Sequence, residues 1–156
     1  MERIALAELD MDLEEVVETT TETQTLYPVV DNTKDYFIEQ DGVRFAGNHV
    51  LVELWDAVNL DEPKLIDDAL LQGARDAGAT VLHSHFHHFS PYSGVSGVVV
   101  LAESHISIHT WPEKNYAAID IFMCGACDPH DALPAIKRAF QPGSVEIQNL
   151  KRGVIK

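Results

Sequence analysis

Val98-Val99-Val100-Leu101-Ala102-Glu103-Ser104-His105-Ile106-Ser107-Ile108-His109 is the stretch on which the fold turns. Gly97 to Ala102 is apolar almost throughout, the pattern of a buried strand. His105 to His109 alternates polar and apolar residues, the period-two signature of a half-buried strand. Glu103 and Ser104 fall at the turn between the two. Working outward, Thr80 to Phe89 and Tyr116 to Met123 read as further strands, and His49 to Trp55 as an earlier one. Asn59-Leu60-Asp61-Glu62-Pro63 is a helix-start signal, with acids in the first turn and Pro near the beginning. That helix carries Leu65, Ile66, Ala69, Leu70 and Ala74 on one face and stops around Gly78. Asp128-Pro129 opens a second helix with Ala132, Leu133, Ile136 and Phe140 on one face, and Ser144 to Ile147 is a last strand.

The resulting order is β-α-β-β-β-β-α-β. Strands in a run with helices on either side predict an α+β two-layer sandwich: a mostly antiparallel sheet with two helices on one face. The other face needs a cover. An apolar sheet face left in water costs ~25 cal/mol per Å², so the expected cover is a second copy of the chain, giving a homodimer. Val98, Val100, Ile106 and Ile119 are strand residues that face either the core or that partner.

The 156 residues suffice for one domain with a sizeable core. Residues 1–33 read as a separate acidic, flexible arm, and residues 34–156 as the folded domain. Within the arm, Leu6, Leu9, Leu13 and Val16 make the stripe of a short amphipathic helix, so a docked helix is the alternative. A net charge of −14 with only 11 Lys and Arg argues against nucleic acid or an anionic membrane as partner. No apolar run approaches the ~20 residues of a membrane span, and an acidic N-terminus is neither a signal nor a transit peptide. The expected location is cytoplasmic. Cys124 and Cys127 are expected to be free thiols there.

Several residues could carry chemistry. His83, His85 and His87 share one strand face by alternation, with His88 on the other. They read as a polar face lining a pocket or solvent, and no metal site is assigned to them; a histidine-rich metal-binding protein stays as the rival from another class. His105, Ser107 and His109 also share a face, with His109 expected to face the Glu103-Ser104 bond. Gly94-Val95-Ser96-Gly97 lacks the form of a hydrolase nucleophile elbow.

The blocks Gly47-Asn48-His49, Phe86-His87-His88-Phe89 with Pro91-Tyr92, Gly94 to Val100, Glu103 to Glu113, and Tyr116 to Asp120 with Cys124-Gly125 together resemble the bacterial and archaeal S-adenosylmethionine decarboxylases. The resemblance covers roughly Gly47 to Val154. It implies a proenzyme that cleaves itself between Glu103 and Ser104, turning Ser104 into a covalent pyruvoyl cofactor. His109 then takes the place of the processing histidine, Ser96 of a serine that organises processing, and Cys124 of the proton donor. Phe89 matches an aromatic that stacks on adenine and Glu113 a carboxylate that holds ribose hydroxyls. The substrate is a small amino-acid-type molecule that forms a Schiff base with the pyruvoyl group, and the product feeds spermidine synthesis. Two departures stand out: Ser93 is an extra residue before Gly94, and the acidic arm is long. The first keeps ornithine or arginine open as the substrate.

Overall fold

The computed structural model describes residues 36–90 and 94–155. The acidic arm, its helical stripe, and the Pro91-Tyr92-Ser93 part of the loop lie outside the described residues. The described residues form eight strands: β1 (Ile38–Gln40), β2 (Val43–Phe45), β3 (Gly47–Trp55), β4 (Val81–His88), β5 (Val95–Leu101), β6 (Ser104–Trp111), β7 (Tyr116–Cys124) and β8 (Ser144–Arg152). Two α-helices accompany them, α1 (Pro63–Asp76) and α2 (Leu133–Phe140).

Six strands form one sheet in the order β4-β5-β6-β7-β3-β8, and every neighbouring pair is antiparallel. This is the expected α+β sandwich. The six strands read from the sequence are β3 to β8. The hairpin β1-β2 is an addition. Its sequence signal is Asp41-Gly42 between short alternating runs, both residues at positive φ (54° and 74°), as a two-residue hairpin turn requires.

Pleating sorts the strand residues onto two faces. Val50, Val52, Leu54, Val99, Ile106, Ile108, Ile119, Ile121 and Met123 point to the helices and are almost fully buried. Ile66, Leu70 and Ala74 of α1 and Leu133, Ile136 and Phe140 of α2 meet them. The acids expected in the first turn of α1 fall just before it: Glu62 is the N-cap and Pro63 the first helical residue, where its missing N–H costs nothing. Gly78, at φ 77°, ends α1 by turning the chain toward β4. Asp128 caps a short 3-10 turn, Pro129–Ala132, its carboxylate accepting the His130 N–H at 2.9 Å before α2 begins.

Ile106 and Ile119 therefore belong to the core, whereas Val98 and Val100 lie on the open face. That face is not the apolar surface the covering argument assumed. By register it carries His83, His85 and His87 of β4, Ser96 of β5, His105, Ser107 and His109 of β6, and Asp120 of β7. On β3, His49 sits between Asp120 (3.1 Å) and Arg152 (2.9 Å). Aromatics are interspersed: Trp111, Tyr116 and Trp55 stack in a row, with ring centroids 5.3 and 4.3 Å apart. The Tyr116 hydroxyl donates to Glu53, and burial followed by that hydrogen bond pushes its pKa up to about 12.

Candidate active site

β5 and β6 pair from Ser96↔His109 to Leu101↔Ser104, which leaves Ala102-Glu103 as a two-residue hairpin tip. Ser104 closes that tip at φ 130°, a region L-residues rarely adopt, costing of order 1–3 kcal/mol. The carbonyl of the Glu103-Ser104 peptide accepts the Cys124 N–H at 3.0 Å. A backbone donor there lies where negative charge would develop if that carbonyl were attacked.

Cys124 ends β7 beside this peptide. Burial first, and the Glu103 carboxylate second, push its thiol above the ordinary value, and a hydrogen bond with Ser104 offsets part of the rise. The thiol therefore stays protonated across neutral pH. Cys127 is more deeply buried; burial and the same carboxylate raise it to about 11, and its Sγ donates to the Gly78 carbonyl at 3.4 Å.

The second group of candidate residues lies elsewhere. Phe89, Ser96, His109, Trp111 and Glu113 line a cavity of about 220 Å³ at the far end of β6. Ser96 and His109 are cross-strand partners, and the Ser96 hydroxyl hydrogen-bonds His109 Nδ1 at 2.8 Å, leaving Nε2 for chemistry. Thr110 builds the floor: it is buried, its Oγ1 accepts from Val95 N–H (2.7 Å) and donates to the Leu60 carbonyl (2.7 Å). The Phe89 N–H donates to the Gly94 carbonyl at 2.8 Å, tying the residue after β4 to the residue before β5. Glu113 sits in the 3-10 turn Pro112–Lys114 after β6.

The structure thus brings Glu103, Ser104 and Cys124 together, and separately brings Phe89, Ser96, His109 and Glu113 together. It does not join the two groups. Ser104 and His109 are five residues apart on one extended strand, about 16 Å at ~3.3 Å per residue. The expectation that His109 faces its own Glu103-Ser104 bond fails on strand geometry alone. Trp111 was passed over by sequence reading, although alternation along β6 puts it on the His109 face. His83, His85 and His87 spread along about 13 Å of edge strand, and among the described residues no three His, Cys, Asp or Glu side chains form a metal-binding group. Also among the described residues, no helix is long and apolar enough to cross a membrane.

The sequence profile of the S-adenosylmethionine decarboxylase family matches residues 48–153. The chain belongs to that family. An S-adenosylmethionine decarboxylase proenzyme of Methanococcus maripaludis (strain C5) is 45% identical over 113 residues, covering 70% of this chain and 92% of the relative. One from Acidithiobacillus ferrooxidans (strain ATCC 53993) is 45% identical over 116 residues, covering 72% and 86%. The crystal structure of the adenosylmethionine decarboxylase from Aquifex aeolicus VF5 superposes with a TM-score of 0.63 at 34% identity, covering 72% of this chain and 94% of that one. Residues 1–47 and 154–156 lie outside the match to the family profile.

Proposed function

We propose that the chain is made as a proenzyme, cleaves itself between Glu103 and Ser104, and then decarboxylates S-adenosylmethionine to the aminopropyl donor for spermidine synthesis. The observation that carries the reading is the condition of one peptide bond: Ser104 is held at φ 130° and the Glu103 carbonyl rests on the Cys124 N–H. The Ser104 hydroxyl attacks that carbonyl carbon, and the Cys124 N–H stabilises the oxyanion. The C–N bond breaks, the freed amine takes a proton, and an ester joins Glu103 to Ser104 Oγ. Relief of the strained φ favours this shift. Loss of the Ser104 α-proton then expels Glu103 as a carboxylate. The dehydroalanine left behind takes up water and releases ammonia, giving a pyruvoyl group.

The surroundings of Ser104 suit such a cofactor, because a protonated thiol stands beside it and needs no further residue to deliver a proton. Once formed, the pyruvoyl ketone supplies the electron sink for decarboxylation. Cys124 delivers a proton to the substrate α-carbon, a task its raised pKa permits. Phe89 and Trp111 offer aromatic faces to the purine and to the sulfonium charge. Glu113 accepts from the ribose hydroxyls. His109, oriented by Ser96, handles the protons of self-cleavage.

This reading requires two copies. The cavity of about 220 Å³ is smaller than the ~300–1,000 Å³ usual for small-molecule sites, and His109 lies too far from the Ser104 of its own chain. A two-fold partner docked on the open face brings its His109 end over this copy's Ser104 end. Six strands of about eight residues present about 750 Å² for that contact, close to the ~800 Å² per partner of a standard interface. Site completion, rather than cover for an apolar face, is the argument for the homodimer.

Intact-mass measurement tests the cleavage. Apportioned by residue count, 17.3 kDa divides into chains of about 11.4 and about 5.9 kDa, the smaller blocked at its N-terminus. Ser104→Ala is expected to abolish both cleavage and activity. A single uncleaved, fully active chain overturns the mechanism. Carbon dioxide release from S-adenosylmethionine, ornithine and arginine, measured side by side, tests the substrate.

A further inference from the structure

The turn that follows α1 meets the hairpin tip that contains the scissile bond. Thr80 presents both of its backbone groups to that tip: its N–H donates to the Glu103 carboxylate (Oε2, 2.8 Å) and its carbonyl accepts the Ala102 N–H (2.9 Å). Glu103 is therefore gripped at two points, by the Thr80 N–H on its side chain and by the Cys124 N–H on its carbonyl at 3.0 Å. The Thr80 turn is itself anchored. The Ala79 N–H donates to the Ala74 carbonyl (2.9 Å), the Gly78 N–H to the Arg75 carbonyl (3.0 Å), and the Cys127 thiol to the Gly78 carbonyl. Immediately after Glu103 comes the strained Ser104.

We propose that the Glu103 side chain is a positioning residue for self-cleavage: its carboxylate, latched on the Thr80 N–H, holds the scissile carbonyl against the Cys124 N–H and keeps Ser104 in its unfavourable conformation. A two-residue hairpin tip with no such latch relaxes Ser104 toward ordinary strand dihedrals, which carries its hydroxyl away from the carbonyl carbon. The latch needs an acceptor at the correct reach and does not need a charge. This inference rests on the self-cleavage reading above.

The test is the rate at which freshly purified, full-length protein converts to two chains, followed by intact mass, for Glu103→Gln, Glu103→Asp and Glu103→Ala. Gln keeps the acceptor and the reach without the charge, and cleaves within about threefold of the parent. Asp keeps the charge but is one methylene short, and Ala keeps neither. Both slow cleavage at least tenfold, the rate equivalent of about 1.4 kcal/mol. Urea denaturation of each uncleaved variant checks that the fold survives. If Asp cleaves like the parent while Gln is as slow as Ala, the carboxylate acts as a charge or a base and the latch is overturned. Equal rates for all three overturn it as well. A parent protein that never cleaves at Glu103-Ser104 refutes the self-cleavage reading itself, an outcome separate from either pattern among the variants.

Discussion

Co-expressing a Ser104→Ala chain with a His109→Ala chain separates a site built within one protomer from a site shared between two. In either homodimer no site holds both Ser104 and His109, so neither is expected to cleave. In a mixed dimer, the Ser104 of the His109→Ala chain faces the intact His109 of its neighbour. The opposite site lacks both groups. The distances set the contrast. Within one chain the two residues are separated by about 16 Å of strand, against the ~3 Å a proton transfer requires. Two sheets packed face to face lie ~10 Å apart, a gap that side chains from both sides fill. With equal expression and random two-fold pairing, about half of the His109→Ala chains are cleaved. The Ser104→Ala chains stay whole. Distinct affinity tags on the two chains let intact-mass spectrometry assign each fragment to its parent. Cleavage no greater than in the separate homodimers refutes the shared site. Full cleavage of His109→Ala alone removes His109 from processing.

Four further outcomes follow from the local chemistry. Cys124→Ala is expected to cleave yet turn over at least tenfold slower, read by carbon dioxide release, because the thiol acts only after cleavage; unchanged turnover returns it to a packing role. Cys127→Ala is expected to stay within about twofold in the same assay. Stability should be greatest below the thiol range and fall as pH rises through about 11. Cys127 is raised to about 11 in the fold, so between its unfolded value and that point the unfolded chain binds fewer protons than the native one. Urea midpoints from pH 7 to 11 check this, and a flat profile counts against it. Gly47→Ala places a Cβ 2.6 Å from the Met123 carbonyl oxygen, so β3 must part from β7 next to Cys124. A loss of about 1–3 kcal/mol in urea denaturation is expected, and no loss shows that the strands shift without strain.

Much of this protein is legible one short window at a time. The alternation of His105 to His109, the apolar run before it and the helical stripes at Ile66, Leu70 and Ala74 each reflect a local periodicity, and all three appear as read. The Glu103-Ser104 turn and Cys124 are also adjacent in space, because β6 and β7 pair with Ser104 opposite Met123. What no window contains is the pairing of distant strands. β3 enters the sheet between β7 and β8, an arrangement set by which apolar faces pack against α1 and α2 rather than by any neighbour in the chain. Thr80 meets Glu103 only because Gly78 turns the end of α1 toward the hairpin tip. His109 stands apart from Ser104 for the opposite reason. An extended strand keeps residues five apart at full stretch, so what the sequence lists side by side the tertiary structure holds at opposite ends of one strand.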